Sequence, residues 1–484
     1  MQYSEQCCYP RPRMEVKVEV VLPEKDREKE ELSPNGKASP LAYKANGTTR
    51  HYHHEERPIV LNPYTNPKDM VEASVCHVKD LENGQMREVD LGCGKALLIK
   101  QNGEYYAMGH KCPHYGAPLV KGVLSRGRVR CPWHGACFNI ATGDIEDFPG
   151  LDGLPKFQVK IEKERVYIRA SKQALQSQRR TKVMAKCIAL SNYSTAITNI
   201  LIIGAGPAGL VCAETLRQEG FSDRIVMCTS EKYLPYDRSK LSKSMDSQAE
   251  QILLRSKEFF HMYDIEVLTE TQVINVDTKN KTVVFKDGFR MEYNKLLIAT
   301  GSTPKTLTCK GKELDNVFTI RTPEDANRVV KLASNRNVVI VGASFLGKRC
   351  NCFFCLYLKE VVLKSGKVLR ADACVIGIGR IAALNMLAQG TEINTIPYLW
   401  TAMFGKSIRY AGNGDGFDDV IIQGDIEELK FVAFYTRNDE VIAVASMNYD
   451  PIVSKVAEVM ASGKSIRKRD VETGDVSWLT GKGS

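Results

Sequence analysis

Ile200-Leu201-Ile202-Ile203-Gly204-Ala205-Gly206-Pro207-Ala208-Gly209 decides the fold of the central part of this chain. Four consecutive apolar residues closed by a glycine read as a short buried strand, and the residues beyond the turn open a helix. Gly204, Gly206 and Gly209 stand between them in G-x-G-x-x-G spacing, a context that turns a weak motif into a dinucleotide-binding expectation. Ala205, Pro207 and Ala208 complete the turn, whose backbone N–H groups and helix N-terminus would hold a pyrophosphate. A ribose hydroxyl then needs an acid at the end of the next strand. Arg224 to Cys228 is that strand and Glu231 is the best candidate acid, with Ser230 or Thr229 as alternatives. The domain that starts here is α/β, doubly wound, and is assigned residues 199–336.

A second start of the same kind, Asn337 to Gly347, follows it. In Gly342-Ala343-Ser344-Phe345-Leu346-Gly347 a serine stands where the second glycine would let a pyrophosphate approach. Lys348-Arg349-Cys350-Asn351-Cys352-Phe353-Phe354-Cys355 comes next, in place of an amphipathic helix. The interval from Val338 to Gly379 is too short for two βαβ units of about 30 residues each. Residues 337–396 therefore read as a remnant of a second dinucleotide domain, rejoined to a helix of the first. From 397 to 484, runs at Val420–Gln423, Phe431–Tyr435 and Val441–Ala445 precede a helix over Pro451–Ser462, giving an α+β C-terminal domain.

Upstream lies the most specific chemistry: Cys112-Pro113-His114-Tyr115-Gly116, then Cys131-Pro132-Trp133-His134-Gly135. The pattern is C-x-H, a sixteen-residue interval, then C-x-x-H. A structural zinc finger usually pairs Cys with Cys and His with His in sequence, whereas each half here mixes the two. Two thiolates and two imidazoles from glycine- and proline-shaped turns suit a Rieske [2Fe-2S] cluster, with Cys112 and Cys131 on one iron and His114 and His134 on the other. Cys137, close to the second turn, is expected as a packed thiol. Short β runs separated by Gly, Asn and Asp make residues 69–170 a small all-β domain. Residues 171–198, polar and basic at Arg179, Arg180 and Lys182, read as a linker, and residues 1–68, with His51, His53 and His54, as a flexible extension.

The 484 residues, 43% hydrophobic and 26% charged, are ordinary for a multidomain globular chain. A net charge of +10 is a modest excess and points to a solvated basic surface, not a nucleic-acid groove. The longest apolar stretch, Ile200 to Ala213, is broken by three glycines and falls short of the 18 or so apolar residues of a membrane span, so no transmembrane segment is expected. Fifteen cysteines without framework spacing argue for a reducing compartment, with thiols used as ligands or core residues. The N-terminus, acidic from Glu24 to Glu31, has neither a secretory core nor a transit-peptide composition, and Gln2 excludes myristoylation.

Leu234-Pro235-Tyr236-Asp237-Arg238, Leu241-Ser242-Lys243 and Ala299-Thr300-Gly301 resemble the FAD domain of pyridine-nucleotide ferredoxin reductases and apoptosis-inducing factor. Pro397-Tyr398-Leu399-Trp400 is similar to the start of that family's C-terminal domain. With the all-β module in front, the resemblance narrows to Rieske-containing, apoptosis-inducing factor-like flavoproteins. It implies FAD, with Arg238 and Lys243 beside the flavin and Val273 meeting the adenine through its backbone. It implies NAD(P)H as donor, at a site expected to be incomplete, and electrons passing through flavin to the cluster. The disulfide of respiratory Rieske centres would fall at Ala117 and Trp133, so a lower-potential centre is expected. The Gly-Asp motif that receives the flavin ribityl chain is missing after Gly379, and Gly414-Asp415 is no substitute. The resemblance also implies mitochondrial residence, with the cytoplasm as alternative, and a role in cell death. The alternative function is a catalytically impaired iron-sulfur electron-transfer or interaction module. The residues name neither the electron acceptor nor a choice between NADH and NADPH, and a homodimer is the assembly considered.

Overall fold

Ala96-Leu97-Leu98-Ile99 shows how the first domain is built: all four residues are fully buried, although they lie in one strand. Successive side chains of a strand point to opposite faces, so both faces must be covered. In the computed structural model, which describes residues 69–147, 149–188, 197–242, 244–304, 313–334, 340–341, 361–362, 383–390, 395–403 and 406–473, they are. Leu97 and Ile99 pack with Met108, Leu119, Val129 and Phe138, while Leu98 packs on the other side with Ala107, Phe157, Val166 and Ile168.

The strands are β1 (Met70–His77), β2 (Met86–Asp90), β3 (Lys95–Gln101), β4 (Glu104–Gly109), β5 (Val123–Ser125), β6 (Arg128–Arg130), β7 (Cys137–Asn139), β8 (Ile145–Asp147), β9 (Lys156–Glu162) and β10 (Arg165–Ser171). One antiparallel sheet runs β1-β10-β9-β4-β3-β2, and a small second one runs β5-β6-β7-β8. The loops that join β4 to β5 and β6 to β7 carry the two Cys/His motifs.

The stretch expected as a linker is not a free tether. Ser171 caps helix α1 (Lys172–Ser177) through its Oγ, which accepts from the Ala174 N–H at 3.1 Å, and Leu175 is buried. Gln178 then accepts from the backbone N–H of His110 at 2.7 Å, directly before the first motif. Arg180 exchanges both backbone hydrogen bonds with Gly153 and ion-pairs with Asp144. Further on, Ala185 and Ile188 hydrogen-bond to Arg217 and Ser222. Composition hid this because the anchoring is done by polar side chains and backbone.

The α/β domain holds the parallel sheet β13-β12-β11-β17, made of β11 (Ile200–Ile203), β12 (Ile225–Cys228), β13 (Ile265–Leu268) and β17 (Lys295–Ile298). Helix α2 (Pro207–Gln218) packs Leu210, Ala213 and Leu216 on it, and α3 (Lys257–Met262) adds Phe260. A three-stranded antiparallel sheet, β14 (Val273–Asp277), β15 (Thr282–Phe285) and β16 (Arg290–Glu292), covers the other face. Helix α4 (Pro323–Ala333) starts with a Thr322/Asp325 capping box. Of the remnant region, the described residues include one parallel pair, β18 (Ile340–Val341) with β19 (Val361–Val362). The altered glycine turn at Gly342–Gly347, Lys348–Cys355 and Gly379 lie outside the described residues, as do the 1–68 extension and Lys243.

The C-terminal sheet has the order β20-β21-β24-β23-β22: β20 (Tyr398–Met403), β21 (Lys406–Gly412), β22 (Asp419–Asp425), β23 (Lys430–Arg437) and β24 (Glu440–Met447). Helix α5 (Ile452–Ala461) buries Ile452, Val453, Val456 and Ala457 against Val432, Phe434 and Val444, and α6 (Lys468–Glu472) follows. All described residues belong to one unit, Tyr64–Ser484, so contacts between the three domains are part of the fold.

Candidate functional site

The two motif loops are built alike. In the first, the Cys112 N–H donates to the Ala117 carbonyl at 2.9 Å; in the second, the Cys131 N–H donates to the Ala136 carbonyl at 2.7 Å. Each loop turns through a glycine in the left-handed region, Gly116 (φ +78°) and Gly135 (φ +74°). This folding aims backbone N–H groups of His114 and Tyr115 at the Cys112 sulfur, and those of Trp133 and His134 at the Cys131 sulfur.

The loops bring together the four residues predicted from spacing. Cys112 and Cys131, both buried, lie within hydrogen-bond reach of each other. That contact, with burial adding to it, pushes the Cys112 thiol up; for Cys131 the same contact and the Trp133 and His134 N–H groups outweigh burial and hold the thiol below its ordinary range. The His114 and His134 rings lie 4.8 Å apart in edge contact. Among the described residues no three His, Cys, Asp or Glu side chains close on one ion position. A thiol pair beside an imidazole pair fits a two-iron group, with two ligands to each iron, better than a single zinc. Donors at both sulfurs are among the features that set the potential of such a group. Cys137 is fully buried, and burial pushes its thiol up to about 12.

The glycine turn fits a dinucleotide in a different way. A methyl group on Gly204, which has φ +111°, would run into the Ala299 carbonyl, and one on Gly209 would run into the Gly204 carbonyl. Those two glycines serve the fold. Gly206 has nothing within 4 Å of where a side chain would start and begins α2 without a side-chain cap, so the open space and the uncapped N–H groups coincide there. Ala205, Pro207 and Ala208 complete the turn and the first helical residues.

Glu231 lies just past β12, and its carboxylate is already engaged by the Tyr236 hydroxyl at 2.8 Å and by the Arg238 guanidinium. Arg238 also donates to the Arg321 carbonyl at 2.8 Å. Backbone bonds from Glu270 to Glu231 and from Thr271 to Thr229 bring the segment leading into Val273 beside that loop. Val273 packs against the cluster containing Ile203 and Cys228, at the ends of β11 and β12.

Sequence reasoning missed the residues that join these two sites. Tyr115, in the first cluster loop, has its hydroxyl 2.8 Å from Asp237 Oδ2 and 3.0 Å from Ser239 Oγ, so it touches the segment that holds Arg238. Its ring is 4.2 Å from that of His114. In the second loop Trp133 stacks on Trp400 at 5.3 Å and 2°, and Trp400 meets His134 edge-on at 4.7 Å. Arg409 donates from Nε to the Pro132 carbonyl at 2.6 Å, and Tyr398 lies under Gly135. The signal available was Trp400 in a stretch already assigned to the C-terminal domain, but a partner one domain away cannot be read from spacing. On the flank of the first loop, His110 to Gly116 and Leu175 to Arg179 line a groove of about 600 Å³.

Three families match this chain: Rieske [2Fe-2S] domain over residues 72–158, pyridine nucleotide-disulphide oxidoreductase over 198–363 and reductase C-terminal over 398–477. The chain is 59% identical to apoptosis-inducing factor 3 of Homo sapiens and to that of Mus musculus, over 602 residues that cover 99% of this chain and 100% of each relative. An alignment longer than the 484-residue chain means that each relative carries a stretch without counterpart here. Over 31% of this chain and 40% of the relative, it is 36% identical to rubredoxin-NAD(+) reductase of Pseudomonas putida. The fold is similar to that of a ferredoxin reductase from Rhodopseudomonas palustris, with a TM-score of 0.51 at 19% identity, covering 58% of this chain and 98% of that one.

Proposed function

The chain belongs to the apoptosis-inducing factor 3 family, Rieske [2Fe-2S] oxidoreductases that use FAD and NAD(P)H, and from that premise we propose that electrons travel within the chain from flavin to cluster. Bound FAD would take two electrons as hydride and hand them on singly, a conversion the protein side chains cannot perform themselves. Cys112, His114, Cys131 and His134 would hold the cluster. The Gly204–Gly209 turn would hold the pyrophosphate through the open space at Gly206, with Ala205, Pro207 and Ala208 shaping it. Glu231 orients Arg238 beside the flavin and accepts from the ribose only with the oxygen capacity left over. Lys243 is the proposed second cation and Val273 the proposed backbone contact for the adenine.

The observation that carries the reading is the Tyr115 hydroxyl on Asp237, at 2.8 Å, which ties a cluster loop to the segment bearing Arg238. On the other loop, the Trp133–Trp400 stack sets aromatic surface against the His134 ring. We further propose a protein electron carrier as acceptor, mitochondrial residence and a role in cell death. The last two rest on the name of the relatives.

The test is an absorption spectrum of the anaerobically purified protein, with iron, acid-labile sulfide and flavin extracted and counted. One [2Fe-2S] cluster and up to one FAD per chain are expected, and Cys112→Ser should remove the cluster bands. Zinc alone, or an unchanged cluster spectrum in Cys112→Ser, would overturn the assignment. A cluster without flavin selects the second reading, an iron-sulfur module impaired as a reductase, which the stretch missing against the relatives favours. Cell-death assays with cluster-null and flavin-null variants separate a signalling role from the redox one.

A further inference from the structure

Two buried ion-pair clusters join the Rieske module to the rest of the chain, one for each of the other domains. On the C-terminal side, Glu458 of α5 is 4% exposed and receives three arginines of the Rieske module. Arg128 lies at 3.0 Å, Arg126 at 3.3 Å, and Arg130, itself 2% exposed, donates through Nε. Arg130 spends its other two nitrogens on the Gly135 carbonyl at 2.8 Å and on Asp147 at 2.6 Å. Glu458 is therefore one residue removed from the loop that carries His134. Burial works against its charge, but Arg130 and Arg128 outweigh it and hold the carboxyl below the usual range.

On the flavin side, Arg255 is a double fork. It binds Asp152 of the Rieske module at 2.8 and 3.1 Å and Glu214 of α2 at 2.8 and 3.0 Å. Its side chain is 9% exposed, and those of Asp152 and Glu214 are 6% and 3% exposed. Glu214 belongs to the helix that starts at the Gly206 turn. The first cluster thus reaches a Cys/His loop through Arg130, the second reaches the helix that begins at the dinucleotide turn, and each has its other end in a different domain.

Breaking a buried pair by removing one partner leaves an uncompensated charge, whose cost far exceeds that of a surface pair. Release of the whole module would rehydrate the charges, so the clusters fix where the module docks, whereas removing one partner leaves a buried charge that only undocking can relieve. We propose that Glu458 and Arg255 are positioning residues that keep the Rieske module docked during electron transfer, so that the cluster is reduced at a fixed separation and not by excursion of a tethered carrier. This rests on the intrachain electron path proposed above.

Hydroxyl-radical footprinting of the full, cluster-loaded chain tests it, read at Trp133, Trp400 and Tyr398, with the buried Met108 of the Rieske core as control for folding. Oxidation of the three aromatics should be slow in the parent. It should rise at least about threefold in Glu458→Gln or Arg255→Met, and further in the double variant, while Met108 stays protected. Equal oxidation in parent and variants, or fast oxidation in the parent, overturns the proposal. If Met108 also becomes reactive, the milder Glu458→Asp and Arg255→Lys decide, since each keeps the charge and spoils the geometry: a smaller rise supports the docking role and no rise overturns it. As second readout, cluster reduction after photoreduction of the flavin should be insensitive to salt in the parent and at least about tenfold slower in the variants. A changed footprint with an unchanged rate removes the positioning role. No transfer in a parent whose aromatics are protected counts against the electron path and leaves the docking intact.

Discussion

Gly206 and Gly204 are the same residue type two positions apart, yet a side chain would do different things at each. At Gly204 it would meet the Ala299 carbonyl, whereas at Gly206 it would enter open space at the uncapped start of α2. Gly206→Val is therefore expected to leave the fold intact and to weaken FAD binding at least about tenfold, since the branched side chain occupies the place of the pyrophosphate. Flavin fluorescence titration of the apo-chain, with circular dichroism alongside, checks both halves, and unimpaired binding would mean that the cofactor lies elsewhere. The glycine turn was legible in the sequence, because the spacing of glycines after a buried strand is a local pattern, but the contrast was not, since the Gly204 neighbour is Ala299. Like the turn, Cys112, His114, Cys131 and His134 were legible. Glu458 was not, although a lone acid inside Ile452-Val453-Ser454-Lys455-Val456-Ala457-Glu458-Val459 is an anomaly on a mainly apolar helix. Its partners Arg126, Arg128 and Arg130 are more than three hundred positions away in sequence, and nothing in the residues themselves pairs them.

The two cluster loops are duplicates in backbone and opposites in surroundings, and this sets up a matched comparison between elements. Gly116 and Gly135 both have positive φ, so alanine at either costs roughly 1 kcal/mol for the left-handed conformation. Around Gly116 a Cβ meets nothing within 4 Å, while at Gly135 it would come within 2.8 Å of the Tyr398 ring in β20. That ring is partly buried, packed against the C-terminal core and anchored by its hydroxyl, 2.8 Å from Ser454 Oγ in α5, so it cannot move aside cheaply. Overpacking of this kind adds about 1–3 kcal/mol. Gly135→Ala is thus expected to destabilise the protein by about 1 to 3 kcal/mol more than Gly116→Ala, measured by urea denaturation of the loaded chain. Equal losses would show that the second loop is not pressed against the C-terminal sheet. The strands of that sheet were only partly readable. β22, β23 and β24 contain the three runs expected at 420–423, 431–435 and 441–445, but β20 and β21 carry Trp400 and Arg409 toward the Rieske module, so those side chains answer to another domain and blur the period.

At the scale of the whole molecule, the order of Rieske, flavin and C-terminal domains was legible because each begins with a local signature. The way they lock together was not, since Asp152, Glu214 and Glu458 look like surface charges in sequence and are buried in the fold, with Arg255 largely enclosed between two of them. What the second glycine turn can still do is a question about the whole chain as well. Hydride transfer needs the nicotinamide in van der Waals contact with the flavin, and a misplacement of about 1 Å can cost on the order of a hundredfold in rate. That placement comes from a complete second dinucleotide domain. Here Ser344 stands in the turn, a Cys- and Phe-rich stretch follows it, and the second strand, β19, is followed by Leu363-Lys364-Ser365-Gly366 with no acid at its end. The alignment to the human relative, longer than this chain, agrees with an internal stretch that the relative has and this chain lacks. The FAD-loaded protein mixed with excess NADH in a stopped-flow instrument is therefore expected to lose its flavin band at least about a hundredfold more slowly than that relative under the same conditions. Photoreduction of the same sample should still reduce the cluster, because the contacts through Tyr115 and Trp133 do not involve the nicotinamide side. Rapid bleaching by NADH would show that enough of the nicotinamide site survives between β18 and β19 and the rejoined helix to place the ring, and the inferred loss would be wrong.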